Sequence, residues 1–136
     1  MDIYCIEEFK KEFEQLISKK NYRSLTKDII EYFFDKNIDG LKSGTRLNNN
    51  DETPYIKKRI GGRGGFRLYF LLIIRKESLY LLFVHPKTGP DGSQNITDEA
   101  KAKLYKRVLE CIKSNFLYRL EVEGNKLKFV DCKVKP

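Results

Sequence analysis

Residues 55–87, YIKKRIGGRGGFRLYFLLIIRKESLYLLFVHPK, decide the fold of this chain. They contain three runs rich in aromatic and aliphatic residues, which are 55–60, 66–74 and 79–85. A glycine-rich connection separates the first two runs, and a short polar one separates the last two. Short connections between such runs favour neighbouring antiparallel strands. The segment therefore predicts the centre of a β-sheet.

The flanking segments carry helical and hairpin patterns. Apolar residues recur at helical spacing over 9–17, 22–34 and 104–112. Thr97 is a suitable N-cap for the third of these helices, which we expect to end near Ser114. Short strands are predicted over 2–6, 116–122 and 126–130. The predicted fold class is α+β, with an antiparallel sheet packed by two N-terminal helices and one later helix, and with an additional C-terminal β-hairpin.

The charge of the chain is concentrated in its second part. The 136 residues include 27 Lys and Arg and 19 Asp and Glu, for a net charge of +8. Residues 1–54 carry 9 basic and 11 acidic side chains, whereas residues 55–136 carry 18 basic and 8 acidic ones. No carboxylate lies between Thr53 and Lys76. A local basic excess of this kind favours a polyanionic partner.

Several classes of protein are disfavoured by composition. Cys5, Cys111 and Cys132 are far apart and form no C-x-x-C pair, which is typical of free thiols in a reducing compartment. The N-terminus lacks a basic segment followed by a long apolar one, and no apolar run reaches the length of a membrane span. One histidine and scattered cysteines offer no metal-ligand spacing. We therefore expect a cytoplasmic protein without metal, cofactor or membrane contact.

Strand alternation assigns the basic side chains to faces. If Ile56 and Ile60 face the core, Lys57 and Arg59 lie on the opposite side of their strand. In the next strand, alternation places Arg67 and Tyr69 on that same opposite side. Such a cationic patch suits phosphates, and Tyr69 could stack on a base. The simpler alternative is a solvated sheet face whose charges only keep the protein soluble.

The glycine-rich turn adds a second, weaker signal. Arg63 stands between two glycine pairs, which allow the backbone to approach an anion closely. The turn lacks the Gly-Lys-Ser/Thr sequence of a nucleotide-binding P-loop. We expect Arg63 and Lys58 to contact a nucleic acid beside the patch.

Four stretches together resemble the RelE/HigB family of bacterial toxin ribonucleases. They are 57–59 (KKR), 63–70 (RGGFRLYF), 80–87 (YLLFVHPK) and 95–97 (NIT). The family has a K-x-R strand, a G-K/R-G-G-x-R-x-x-Y turn and strand, a Y-L-L-x-x-Y-x-K strand and a helix that opens on Thr or Ser. The resemblance implies one RelE/HigB-like domain over residues 1–136, with 1–114 as the family-like core and 115–136 as a C-terminal extension.

The resemblance also implies a function. Members are toxins of type II toxin–antitoxin systems that cut mRNA, usually on the ribosome, without a metal and with the 2′-hydroxyl as nucleophile. A cognate antitoxin protein silences them. Carried over position by position, Lys57, Arg59, Arg67 and Lys87 match the basic active-site positions. Arg67 would clamp the scissile phosphate, Arg59 and Arg63 would hold neighbouring phosphates, and Lys57 or Lys87 would act as base or acid.

His85 occupies the place where the family often has Tyr. As the sole imidazole of the chain it is a candidate general acid or base, although strand alternation places it on the side of Leu79, Leu81 and Phe83. Two other functions stay open. One is a noncatalytic RNA- or DNA-binding module that uses the same patch, and the other is a ParE-like toxin directed at DNA gyrase.

Overall fold

A computed structural model describes residues 1–62, 65–87 and 96–133. The strands are β1 (Asp2–Cys5), β2 (Thr45–Arg46), β3 (Tyr55–Ile60), β4 (Phe66–Ile73), β5 (Ser78–Pro86), β6 (Tyr118–Glu123) and β7 (Lys126–Asp131). The helices are α1 (Glu7–Ile17), α2 (Leu25–Phe33) and α3 (Asp98–Ser114). The three central strands and α3 confirm the bounds predicted from the sequence to within one residue. None of the helices in these ranges is long and apolar enough to cross a membrane.

All seven strands form one mixed sheet in the order β2-β3-β4-β5-β1-β6-β7. Strands β3, β4 and β5 are antiparallel neighbours, as predicted. The prediction of a wholly antiparallel sheet is wrong at β1, which runs parallel to β5 with Cys5 opposite Leu81. Parallel neighbours require a long crossover, and here α1, α2 and the strands after them supply it. The C-terminal hairpin joins the same sheet, because β6 pairs with the other side of β1.

Helices α1 and α2 cover one face of the sheet and build the larger core. Phe9, Phe13 and Leu16 recur at helical spacing and are buried, whereas Ile17 at the end of the predicted stripe is 37% exposed. Phe33 of α2 meets Phe70 of β4 edge to face, with ring centroids 5.3 Å apart. Each fully buried side chain of this size stabilises the fold by about 1.5–3 kcal/mol relative to exposure. This core fixes the inward face of β3 and β4.

Helix α3 packs on the opposite face. Its N-cap is Thr97, whose hydroxyl oxygen accepts a hydrogen bond from the backbone N–H of Ala100 at 3.1 Å, as the sequence predicts. Val108 and Cys111 are its buried residues. The Tyr55 hydroxyl donates to the Lys101 carbonyl oxygen at 2.9 Å and ties the first turns of α3 to β3. We call this side of the sheet the α3 face.

Candidate active site

Two rows of side chains cross the sheet on the α3 face, near the glycine-rich turn. In the first row Arg59 of β3 is opposite Arg67 of β4, and Arg67 is opposite His85 of β5. In the second row Lys57 of β3 is opposite Tyr69 of β4, and Tyr69 is opposite Phe83 of β5. Neighbouring strands lie about 4.8 Å apart, so the members of a row are close neighbours. The rows bring together the basic residues that the sequence assigns to one patch.

A β-bulge places His85 on this face, contrary to the prediction. Tyr69 is opposite Phe83 but Phe70 is opposite Leu81, so Leu82 is an extra residue in β5. The extra residue reverses the alternation of the strand beyond it. Leu79 and Leu81 consequently pack in the core under α1 and α2, whereas Phe83 and His85 lie on the α3 face. The register predicted for His85 from simple alternation is wrong for this reason.

Arg67 carries the clearest mark of an anion site. Its Nη1 is buried and has no hydrogen-bond partner within the described part of the chain. Arg59 is directly opposite Arg67 in the neighbouring strand, and like charges in that arrangement destabilise a sheet. A buried donor without an acceptor carries a further energetic cost. A phosphate oxygen between the two guanidinium groups would relieve both penalties, because guanidinium binds phosphate with parallel hydrogen bonds.

Two lysines complete what we call the cationic cluster, which consists of Lys57, Arg59, Arg67 and Lys87. Desolvation, followed by the charges of Lys101 and Arg67, lowers the pKa of Lys57. Desolvation, followed by the charges of Arg59 and Arg67, lowers the pKa of Lys87. The charges acting on both ammonium groups are thus positive, and positive neighbours favour the neutral form of a lysine, which is the form that can accept a proton.

Tyr69 and His85 form a buried pair beneath the cluster. The His85 Nδ1 lies 3.0 Å from the Pro86 carbonyl oxygen, which can only accept, so we place the proton of the neutral ring on Nδ1. The Tyr69 hydroxyl, 3.1 Å from Nε2, then donates to that nitrogen. Tyr69 is completely buried, so its ring cannot stack on a base as the sequence-based interpretation expected. Both nitrogens of His85 are engaged, and the pair supports the site from below.

We predict that this pair makes folding stability depend on pH below neutrality. Burial, with the charges of Arg67 and Lys57, lowers the pKa of His85 from 6.5. The unfolded chain therefore takes up a proton near pH 6.5 that the folded chain takes up only at lower pH. The contribution of the neutral His85 ring to the free energy of unfolding is fully present above pH 6.5. It falls as the pH drops below 6.5, by at most about 1.4 kcal/mol per pH unit for this one proton.

Urea unfolding between pH 5 and pH 7 measures this effect. The slope of unfolding free energy against pH should be smaller in His85→Gln than in the unmodified chain. Equal slopes in the two proteins would show that the imidazole does not titrate differently on folding.

The remaining predicted site residues lie elsewhere. Lys58 is on the opposite face of the sheet, where its Nζ donates to the Ser43 hydroxyl at 3.1 Å and lies 5.8 Å from the ring of Tyr32. It does not join the cationic cluster. Arg63 lies outside the described residues.

The sequence-based interpretation missed Lys101, and it included Gly65 in the glycine-rich turn without predicting its hydrogen bond. Lys101 of α3 acts on the pKa of Lys57, although the helical pattern gives no sign that it faces the sheet. Gly65 ends the turn and accepts a hydrogen bond from the backbone N–H of Lys87 at 2.9 Å, which fixes the start of the segment after β5. The glycine run itself was the signal for a close backbone approach at this point. Within the described ranges, no cluster of His, Cys, Asp and Glu side chains has the geometry to hold a metal ion.

Comparisons with known proteins give no relative for this arrangement. No protein-family model, no curated protein and no solved structure matches the chain.

Proposed function

We propose that the protein is a RelE/HigB-like toxin that cleaves mRNA without a metal. The observation that carries the proposal is the buried guanidinium nitrogen of Arg67, which has no hydrogen-bond partner among the residues that the structure describes. Arg67 is directly opposite Arg59, and its charge acts on both Lys57 and Lys87. This arrangement offers donors and positive charge to a single phosphate group. The order of elements, with two helices before a three-stranded antiparallel meander and one helix after it, also agrees with the RelE/HigB resemblance.

The two arginines would act on the scissile phosphate. Negative charge builds up on the nonbridging oxygens as the 2′-oxygen attacks phosphorus. Donors fixed in advance at those oxygens stabilise this transition state more than the ground state. Arg67, which is held in the middle strand between two neighbours, would bind the oxygens directly. Arg59, which is more exposed, would bind the same phosphate from the outer side or the next one.

The two lysines would move the protons. In its neutral form, Lys57 would take the proton from the 2′-hydroxyl, and the new bond joins the 2′-oxygen to phosphorus. In its protonated form, Lys87 would give a proton to the 5′-oxygen as the bond between phosphorus and that oxygen breaks. The products are a 2′,3′-cyclic phosphate and a 5′-hydroxyl. A lysine with a lowered pKa serves either role better than an ordinary one, because its pKa lies closer to the working pH.

The proposal predicts a pH–rate profile set by lysine. Cleavage of ribosome-bound mRNA in single-turnover assays should keep rising above pH 7, because the neutral fraction of Lys57 grows with pH toward its lowered pKa. Lys57→Ala should remove this rise in rate, whereas in His85→Gln the rate should rise over the same pH range as in the unmodified chain. A rise confined to pH 5.5–6.5 that disappears in His85→Gln would instead make the imidazole the base.

One substitution in the substrate tests the chemistry. An mRNA with a single 2′-deoxynucleotide at the cleaved position lacks the nucleophile and should stay intact, while cuts at unmodified positions persist. A chain that cuts the deoxy-substituted position equally well would contradict the proposed reaction. For the biological role, expression should arrest growth, and the product of a neighbouring gene that encodes an antitoxin should restore it.

A noncatalytic RNA-binding module is the second candidate. It is favoured by the engagement of both His85 nitrogens, which leaves no imidazole to act as a conventional base. In that case the purified chain should bind RNA with a steep dependence on salt and leave translated mRNA intact.

A further inference from the structure

We infer that a cavity beside the cationic cluster holds a nucleobase of the RNA strand whose phosphate the cluster binds; this inference rests on the proposed function. The cavity measures about 480 Å³ and lies between the segment before β3 and the first turns of α3. Its volume falls within the range of small-molecule sites. Its aromatic walls, its polar lining residues and its short distance from Lys57 favour a base as the occupant.

The walls of the cavity are aromatic and apolar. The rings of Tyr55 and Tyr105 stack on each other with centroids 5.4 Å apart and an interplanar angle of 28°, and both line the cavity together with Leu47. Tyr55 is buried and its hydroxyl is bonded to α3, so the pair is held in place. Tyr105 is only half-buried. The ring of Tyr105, held in place against the buried ring of Tyr55, suits the flat face of a base.

The polar residues that line the cavity fit a base better than a phosphate. Asp98 and Lys101 line the cavity, with the Asp98 carboxylate 3.4 Å from the Lys101 Nζ. Asn50 also lines it, and its Oδ1 already accepts from the backbone N–H groups of Glu52 and Thr53, so its Nδ2 can donate. The carboxylate would repel a phosphate but can accept from an amino or imino group of a base. Donors and an acceptor side by side match the edge of a base.

The cavity lies beside the cationic cluster. Tyr55 and Lys57 are two residues apart on the same face of β3, which places them about 7 Å from each other. Lys101 lines the cavity and also acts on the pKa of Lys57, so its charge reaches both places. A single strand with one phosphate at the cluster would thus bring an adjacent base to the cavity. Affinity would come from the cluster, and preference among bases would come from the cavity.

An uncleavable probe tests this inference separately from catalysis. A fluorescent single-stranded RNA with 2′-O-methyl groups throughout cannot be cut by the proposed chemistry, and an abasic residue is placed at each position in turn. At one position, loss of the base should weaken binding to the unmodified chain about 10-fold. The same loss should change the binding of Tyr105→Ala by less than about twofold. Tyr105→Phe, which keeps the ring, should behave like the unmodified chain.

A second variant distinguishes loss of the aromatic ring from a folding defect. Tyr105→Leu keeps an apolar side chain on α3 and should also lose the response to the abasic residue, with an unchanged urea unfolding midpoint. The inference is overturned if no position responds, or if the response is equal in the unmodified chain and in Tyr105→Leu. Absence of mRNA cleavage together with a response that depends on Tyr105 would contradict the proposed function and leave the base site standing.

Discussion

Arg67→Ala should lower the rate of mRNA cleavage about 10²- to 10³-fold, the usual effect of removing one transition-state donor. Arg67 is the central residue of the first row, and its Nη1 has no acceptor within the described residues. The substitution also removes the repulsion between Arg67 and Arg59, so the free energy of unfolding should stay the same or rise. The cleavage rate should therefore fall without any loss of stability. If Arg67 had only a structural role, its removal would lower the free energy of unfolding as well. Single-turnover cleavage on ribosomes and urea unfolding measure the two effects.

Two matched variants control this prediction. Arg67→Lys keeps the charge but loses the paired donors, so its rate should lie between those of the unmodified chain and Arg67→Ala. Arg75→Ala removes an exposed arginine from the turn between β4 and β5, away from the cationic cluster, and should cleave normally. An equal loss of rate in Arg75→Ala and Arg67→Ala would indicate that net charge, and not the position of Arg67, determines activity.

Gly65→Ala should destabilise the protein by about 2–3 kcal/mol and also reduce cleavage. A Cβ atom at Gly65 would overlap the carbonyl oxygen of Ile60 and would lie 3.0 Å from both the carbonyl carbon of Gly61 and the carbonyl oxygen of Gly62. These are backbone atoms, so the turn must shift as a whole. Because Gly65 also accepts the hydrogen bond from the Lys87 N–H, the shift would displace a member of the cationic cluster. Urea unfolding and the cleavage assay report the two losses.

The neighbouring glycine provides the control for this substitution. Gly62 has a φ of +59°, but nothing lies within 4 Å of a Cβ atom placed on it. Gly62→Ala should therefore lose only about 1 kcal/mol, from the left-handed backbone conformation. If Gly65→Ala unfolds no more readily than Gly62→Ala, the close packing of the turn is not a determinant of stability.

Local patterns predicted the part of the site that β3 and β4 build. Alternation put Ile56, Leu68 and Phe70 in the core, and it put Lys57 and Arg67 on the other face, because these strands are regular and pair residue by residue. The N-cap at Thr97 was equally local and equally predictable.

Features that depend on residues distant in the sequence could not be predicted from local patterns. The extra residue Leu82 leaves no pattern in a run where almost every side chain is apolar, so the face of His85 was predicted wrongly. The parallel pairing of β1 with β5 joins segments more than seventy residues apart. Burial of Tyr69 depends on a neighbouring imidazole and on the approach of α3, neither of which is local. The two-residue strand β2 is too short to show any period.

Primer extension on a translated mRNA, after induction of the chain in growing cells, tests the central claim most directly. The account predicts new 5′ ends within the reading frame when the unmodified chain is expressed. It predicts their loss when Arg67→Ala and Lys87→Ala are combined in a protein of the same abundance and stability. Cuts that persist in the double variant would contradict the assignment of the site. Growth arrest without any cut would contradict mRNA cleavage as the function.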